Sequence, residues 1–370
     1  MAAKPSVGAD LLGASRLALE AVAGVTDLVE AVHMNVLNKP ILKPVAGVTS
    51  LVYRGVRGAT RMVGGGLDAV LGRLAPELGA PPEWPGRQAL VAALNGVLGD
   101  RLAASGNPLA IHMHLRVAGP PGPRIVVLAH GLCMNDLQWL RDGHDHGAML
   151  AAQRGYTPVY LHYNSGRHIS DNGRELAQQL QALVDGWPVP VEDIIIVAHS
   201  MGGLVARSAC YSAQQEGHAW LGRLRKMAFL GTPHHGAPLE RGGNWVHLFT
   251  DISAYSAPFS RLAKIRSAGI TDLRHGSLLE QDWDGHDRFA HGTPLPLTVP
   301  PPVPCLAIAA TIARTPGVRG TDGLVPLASA RGEHVDPQRA LAFEAVTVCQ
   351  TNHMQLLSSQ KVAELLLSWL

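Results

Sequence analysis

The chain has 370 residues, of which 46% are hydrophobic and 16% charged. That balance fits a globular protein with a sizeable core and excludes a disordered chain. A net charge of +2 gives no electrostatic case for a nucleic-acid partner. The four cysteines, Cys133, Cys210, Cys305 and Cys349, are far apart and form no CxxC pair. This excludes a disulfide framework or a zinc site of the usual spacing. Reduced thiols in a cytoplasmic protein fit best, with a single disulfide such as Cys305–Cys349 left open. Asp10, Arg16, Glu20 and Asp27 interrupt the first apolar stretch, so no clean secretory leader is expected. No apolar window is long enough to predict a membrane-spanning helix.

Residues 1–105 are rich in Ala, Val, Leu and Gly at helical spacing and are expected to form a helical N-terminal extension. Ala23-Gly24-Val25-Thr26 recurs as Ala46-Gly47-Val48-Thr49, which suggests a pair of similar helices separated by Pro40 and Pro44. Val52, Val56, Ala59 and Val63 share one helical face, and Arg54, Arg57 and Arg61 the opposite one. Such a stripe more often packs on a neighbouring domain. Peripheral contact with an anionic membrane is the alternative. Gly64-Gly65-Gly66 lacks the Lys-Ser/Thr of a phosphate loop.

From about residue 106 short apolar runs alternate with helical stretches. The runs are 111–117, 124–129, 157–163, 194–198, 226–230, 305–311 and 345–349, and two helices are expected over 173–184 and 202–215. The alternation predicts an α/β fold: a mostly parallel sheet flanked by helices, spanning 106–370. Residues 236–303, with Trp245, Trp283 and the prolines at 300–304, break the pattern and are expected to form a cap or lid insertion. His144-Asp145-His146 reads as a polar surface turn ahead of a metal-ligand set.

The sharpest motif is Ile194-Ile195-Ile196-Val197-Ala198-His199-Ser200-Met201-Gly202-Gly203. A buried strand runs straight into a turn with small residues two before and two after the serine. A tight strand-to-helix turn, which lifts a hydroxyl clear of a sheet, needs that spacing. Ala198 stands where the common GxSxG pattern has its first glycine. A serine nucleophile needs a base, and the base an orienting acid, both beyond later strands. Asp322, in Gly320-Thr321-Asp322-Gly323, is the expected acid, with Asp336 the fallback. His353, between the last strand run and a C-terminal amphipathic helix, is the expected base, with His334 the rival. The oxyanion donors are expected from the amide of Met201 and that of Leu132, in the loop Ala129-His130-Gly131-Leu132-Cys133. His130, Gly131, His199 and His234 are expected to line the substrate pocket.

The set His130-Gly131-Leu132, Ala198-His199-Ser200-Met201-Gly202-Gly203, Leu230-Gly231-Thr232-Pro233-His234-His235-Gly236, Asp322-Gly323-Leu324-Val325-Pro326 and Asn352-His353 resembles the bacterial lipase and esterase branch of the α/β-hydrolases. It is also similar to the inositol-deacylase-like members of that superfamily. The resemblance covers about 110–370 and implies a serine esterase or lipase: Ser200 as nucleophile, Asp322 as acid and His353 as base, with Leu132 and Met201 holding the oxyanion. It implies a small-molecule or lipid ester as substrate, no cofactor and no carried-over metal ligands. Thioester or amide hydrolysis by the same residues is the alternative. A non-catalytic membrane- or partner-binding protein on the same fold is the alternative of another class.

Overall fold

Ile194 to Ala198 is an unbroken apolar run, which suits a strand covered on both faces. In the computed structural model it is the centre of a seven-stranded sheet. The structure describes residues 9–20, 54, 58–60, 62, 65, 86–237, 267–285, 303–315 and 320–370. The strands are β1 (His114–Val117), β2 (Arg124–Ala129), β3 (Thr157–His162), β4 (Asp193–His199), β5 (Leu224–Leu230), β6 (Cys305–Thr311) and β7 (Glu344–Cys349). They lie in the order β1-β3-β2-β4-β5-β6-β7. Among the described residues only β1 runs antiparallel to its neighbour, and every other pair is parallel.

The register brings the carboxyl ends of the central strands level: Ala129 pairs with Ala198, and Ala198 with Phe229. Ligands of open parallel sheets bind at that edge. The four central strands are almost wholly buried, whereas β1 is exposed at both ends and only half-buried between them, as suits an edge strand. Each fully buried Ile, Leu or Phe here contributes roughly 1.5–3 kcal/mol relative to exposure. The cysteines are free, and Cys349 pairs with Thr311 at the far end of β6 from Cys305, so the Cys305–Cys349 disulfide does not form.

Helices α1 (Arg87–Ala104), α2 (His146–Arg154), α3 (Ile169–Asp185), α4 (Met201–Glu216), α5 (Ala268–His275), α6 (Leu327–Ala330) and α7 (Gln360–Trp369) accompany the sheet. Helix α2 shows how locally its ends are set. Asp145 accepts the Ala148 N–H at 3.0 Å as N-cap, and Gly155, at φ 68°, ends the helix in the left-handed region.

The chain divides into two units, Met1–Trp84 with Ala104–Ala110, and Pro85–Ala103 with Ile111–Leu370. In the first, residues 9–20 are helical, and Asn107 Nδ2 donates to the Gly13 carbonyl at 3.1 Å. The sequence repeat, Gly64 and Gly66 of the glycine run and most of the stripe with Arg57 and Arg61 lie outside the described residues. Among the described residues no helix is long and apolar enough to cross a membrane. In the second unit α1 falls with the sheet, although the sequence places residues up to 105 in an extension. Its Ala- and Gly-rich face buries Gly96 against Cys133: a Cβ on Gly96 would lie 2.1 Å from Cys133 Sγ.

Most of the expected cap, 238–266 and 286–302, lies outside the described residues. The described part, 267–285, is docked on the body. Ser267 Oγ donates to the Gly96 carbonyl at 2.7 Å, and the Ala268 N–H to Asp100 Oδ2 at 3.0 Å. The buried Asp272 accepts from the Ile169 N–H at 2.8 Å and from His168 Nδ1 at 3.0 Å. Burial raises its carboxyl pKa above the ordinary value despite those two bonds. The His168 ring lies flat on Trp283, with centroids 3.7 Å apart.

Candidate active site

The turn after β4 places Ser200. Its backbone is at φ 53° and ψ −127°, a conformation rare for a residue with a Cβ and costing on the order of 1–3 kcal/mol. The surroundings enforce it: the Ser200 N–H donates to the Leu230 carbonyl at 2.9 Å, and the Gly203 N–H to the Ser200 carbonyl at 3.0 Å. The glycines that follow admit no substitute. A Cβ on Gly202 would sit 2.3 Å from the Ala129 carbonyl oxygen, and one on Gly203 2.1 Å from Thr232 Oγ1. Ala198 is fully buried between Ala129 and Phe229, and its methyl is accommodated where the common motif has glycine. Helix α4 starts at Met201, so its N-terminal end favours negative charge beside Ser200.

The loop after β6 carries Asp322, and the turn after β7 carries His353. Asp322 divides its carboxylate between two tasks. Oδ1 accepts the N–H groups of Leu324 and Val325 at 2.9 and 2.8 Å, and Oδ2 accepts from His353 Nδ1 at 2.7 Å. The His353 N–H also donates to the Asp322 carbonyl at 3.0 Å. A carboxylate only accepts, so the His353 proton sits on Nδ1, leaving Nε2 with its lone pair. Both residues are buried, at 1% and 3% exposure.

Ser200, His199 and His353 are the polar lining of one pocket. The rest is apolar: Leu132 and Met134 from the loop after β2, Leu324 and Val325 beside Asp322, Met354, Pro233, Ala237, and Leu273 of α5. Of the expected pocket residues, His199 lines it, while His130, Gly131 and His234 do not. His130 is buried below the loop, stacked on Tyr163 with centroids 4.4 Å apart, and burial takes its pKa down to about 3. His234 is buried between Phe229 and Phe343, where burial likewise keeps it neutral. Gly131 acts by backbone approach: a Cβ there would come 3.0 Å from Ser200 Cβ. The fallback residues Asp336 and His334 pair with each other through the Asp336 N–H and His334 Nδ1, away from this pocket.

The Leu132 amide belongs to a loop pinned from several sides. Cys133, at φ 60°, donates its N–H to Ser165 Oγ at 3.0 Å. Asn135 and Gln138 form a reciprocal cap on the next turn. Asp136 accepts from His162 Nδ1 at 3.0 Å and from Arg116. Burial alone would raise the Asp136 carboxyl pKa, but these two partners hold it well below the usual carboxylate range. Neither the Leu132 nor the Met201 amide has an acceptor among the described residues. Met201 follows Ser200 directly and Leu132 lines the same pocket, so two such N–H groups would suit an oxyanion.

Sequence reasoning missed Asp136, Ser165 and Leu273, whose partners are distant in the chain. It also misread His146, which is buried, not part of a surface turn. His146 Nε2 donates to the Leu356 carbonyl at 3.0 Å, two residues beyond Met354, and Nδ1 accepts from His144 at 2.9 Å. Among the described residues no cluster of side chains fits a metal ion.

Residues 124–299 match the family model described as "PGAP1-like alpha/beta domain". That span contains Ser200 and ends before Asp322 and His353. Comparison with curated protein sequences gives no match. Among solved structures the chain is similar to the Bacillus licheniformis lipase BlEst2 in mature form, at 16% identity and a TM-score of 0.45 over 70% of this chain and 97% of that one. It is similar to Cfl2 from Burkholderia cenocepacia, at 16% identity and 0.39 over 70% and 91%. It is also similar to the Pyrococcus furiosus esterase PF2001, at 15% identity and 0.38 over 70% and 86%. With its strand order, its antiparallel edge strand β1 and the serine turn after β4, the described sheet has the α/β-hydrolase fold, and residues 124–299 are similar to the PGAP1-like alpha/beta domain.

Proposed function

We propose that the protein is a serine hydrolase that cleaves carboxylic esters through an acyl-enzyme on Ser200. The observation that carries this reading is the shared pocket. A serine on a strained turn and an imidazole bonded at 2.7 Å to a buried carboxylate line one apolar cavity. The fold and the similarity to lipases and esterases support a hydrolase.

In the proposed reaction His353 Nε2 takes the Ser200 proton as Oγ attacks the ester carbonyl carbon. The Leu132 and Met201 amides donate to the tetrahedral oxyanion. The imidazolium returns the proton to the leaving alcohol as the C–O bond breaks, giving the acyl-enzyme. Water, deprotonated by the same nitrogen, then releases the acid and restores Ser200. Asp322 keeps the imidazole tautomer and stabilises the imidazolium. Among the described residues the lining of Leu132, Met134, Leu273, Leu324 and Met354 includes no Lys or Arg and suits an apolar acyl group. Peripheral membrane contact through the N-terminal segment remains a proposal, tested by co-sedimentation with anionic vesicles with and without residues 1–105.

The test is Ser200→Ala assayed on a short p-nitrophenyl ester. Hydrolysis disappears while the unfolding temperature stays at the wild-type value. Undiminished hydrolysis in that variant would overturn the assignment.

A further inference from the structure

Resting on the serine-hydrolase reading, we propose that His199 is the positioning residue that fixes the base against the nucleophile. His199 is the last residue of β4 and precedes Ser200. Its Nε2 donates to the His353 carbonyl at 3.1 Å, and the two rings lie 4.7 Å apart between centroids. A carbonyl only accepts, so this bond places the His199 proton on Nε2. Burial, reinforced by the neighbouring His353, keeps His199 neutral, so no second cation opposes an imidazolium at 353.

An account of the polar atoms of His353 makes the assignment specific. Its N–H is held by the Asp322 carbonyl, its Nδ1 by Asp322 Oδ2 and its carbonyl by His199. The one polar atom left is Nε2, the atom that must move a proton. Asp322 fixes two of the three points from the loop after β6. His199 supplies the third from β4, the strand that also carries Ser200. The clamp therefore ties the height of the imidazole to the serine turn itself. Gly131 closes in from the other side, where a Cβ would meet His199 Nδ1 at 3.2 Å.

The test compares His199→Phe, which keeps a ring against His353 but deletes the donor, with His199→Gln, which keeps an N–H donor. With a p-nitrophenyl ester, H199F should lose about 10- to 100-fold in kcat with KM little changed, the scale expected when a reacting group is displaced by an ångström or less. H199Q should recover most of that loss. Labelling of Ser200 by a fluorophosphonate should slow in H199F in parallel with kcat. In proton NMR, the low-field Nδ1–H signal of His353 should shift in H199F and return toward its wild-type position in H199Q. Full kcat and labelling rate in folded H199F would overturn the proposal. So would equal losses in folded H199F and H199Q. Should H199F fail to fold, H199Q decides alone: a folded H199Q that is inactive overturns the clamp. If the wild-type protein itself takes no label, the serine-hydrolase reading has failed, a result distinct from any of these.

Discussion

Asp322 and His353 lie 2.7 Å apart, and Asp272 and His168 lie 3.0 Å apart: of the carboxylate–imidazole pairs among the described residues, these two are of nearly equal geometry. In both the carboxylate is buried and also accepts backbone N–H groups. They differ in what the imidazole faces. His353 lines a pocket with Ser200, whereas the His168 ring is covered by Trp283, whose Nε1–H donates to Ser170 Oγ at 3.0 Å. One pair sits at the carboxyl edge of the sheet; the other latches α5 to the start of α3. Equal hydrogen-bond chemistry therefore does not make equal sites. A strained serine turn, free amides and an open imidazole nitrogen separate the first pair from the second.

Substitution of the two acids breaks the comparison most sharply. Asp322→Asn should lower kcat by about 10³- to 10⁴-fold, because the imidazole loses its tautomer and its counter-charge. Asp272→Ala should leave kcat nearly unchanged but cost on the order of 1–3 kcal/mol of stability, since the Ile169 N–H and His168 lose their acceptor. Ester turnover and urea unfolding of both variants measure this. Comparable losses of kcat in the two would remove the distinction.

A second expectation concerns the buried imidazoles that are not catalytic. Burial depresses the pKa values of His130 to about 3 and His146 to about 4, and lowers those of His199 and His234 well below 6.5. Below pH 6.5 the unfolded chain binds protons at these sites that the folded chain refuses. Stability is therefore full above about pH 6.5 and falls as the pH drops toward 4. Each site contributes up to about 1.4 kcal/mol per pH unit. Urea unfolding at pH 7.5 and 5.5 should show a loss of several kcal/mol. Equal stability at the two values would contradict the buried neutral assignment.

The smallest effect is on selectivity. Leu273 comes from the same short helix as Asp272, yet its side chain reaches the pocket. Leu273→Ala should shift preference toward longer acyl chains, with the ratio of kcat/KM for octanoyl over butyryl esters rising about 3- to 10-fold, the worth of one or two methylene contacts. An unchanged ratio would show that Leu273 does not bound the acyl site.

The two pairs also differ in how far the sequence discloses them. β4, the serine turn and the strands carrying Asp322 and His353 announce themselves through local signals: unbroken apolar runs, small residues around Ser200 and a polar residue just past a strand. Every expected strand run contains most of an observed strand. The His168–Asp272 pair has no such signal, because its partners are 104 positions apart and neither sits in a recognisable motif. The same holds for α1. Its Ala- and Gly-rich sequence resembles any packed helix, and only the fold shows Gly96 closing on Cys133 beneath the Leu132 loop. His130 and His234 were expected at the pocket because they neighbour its loops, but adjacency in sequence gave no direction to their rings, and both turn inward. The regions 238–266 and 286–302, where the cap was expected, lie outside the described residues.

The most direct measurement is covalent capture of the nucleophile. Wild-type protein is treated with a fluorophosphonate at neutral pH and digested, and the modified peptide is sequenced by mass spectrometry, with Ser200→Ala in parallel. The proposed mechanism predicts one adduct, on Ser200, and none in the variant. No adduct on the folded wild-type protein, or an undiminished adduct elsewhere in Ser200→Ala, would contradict it.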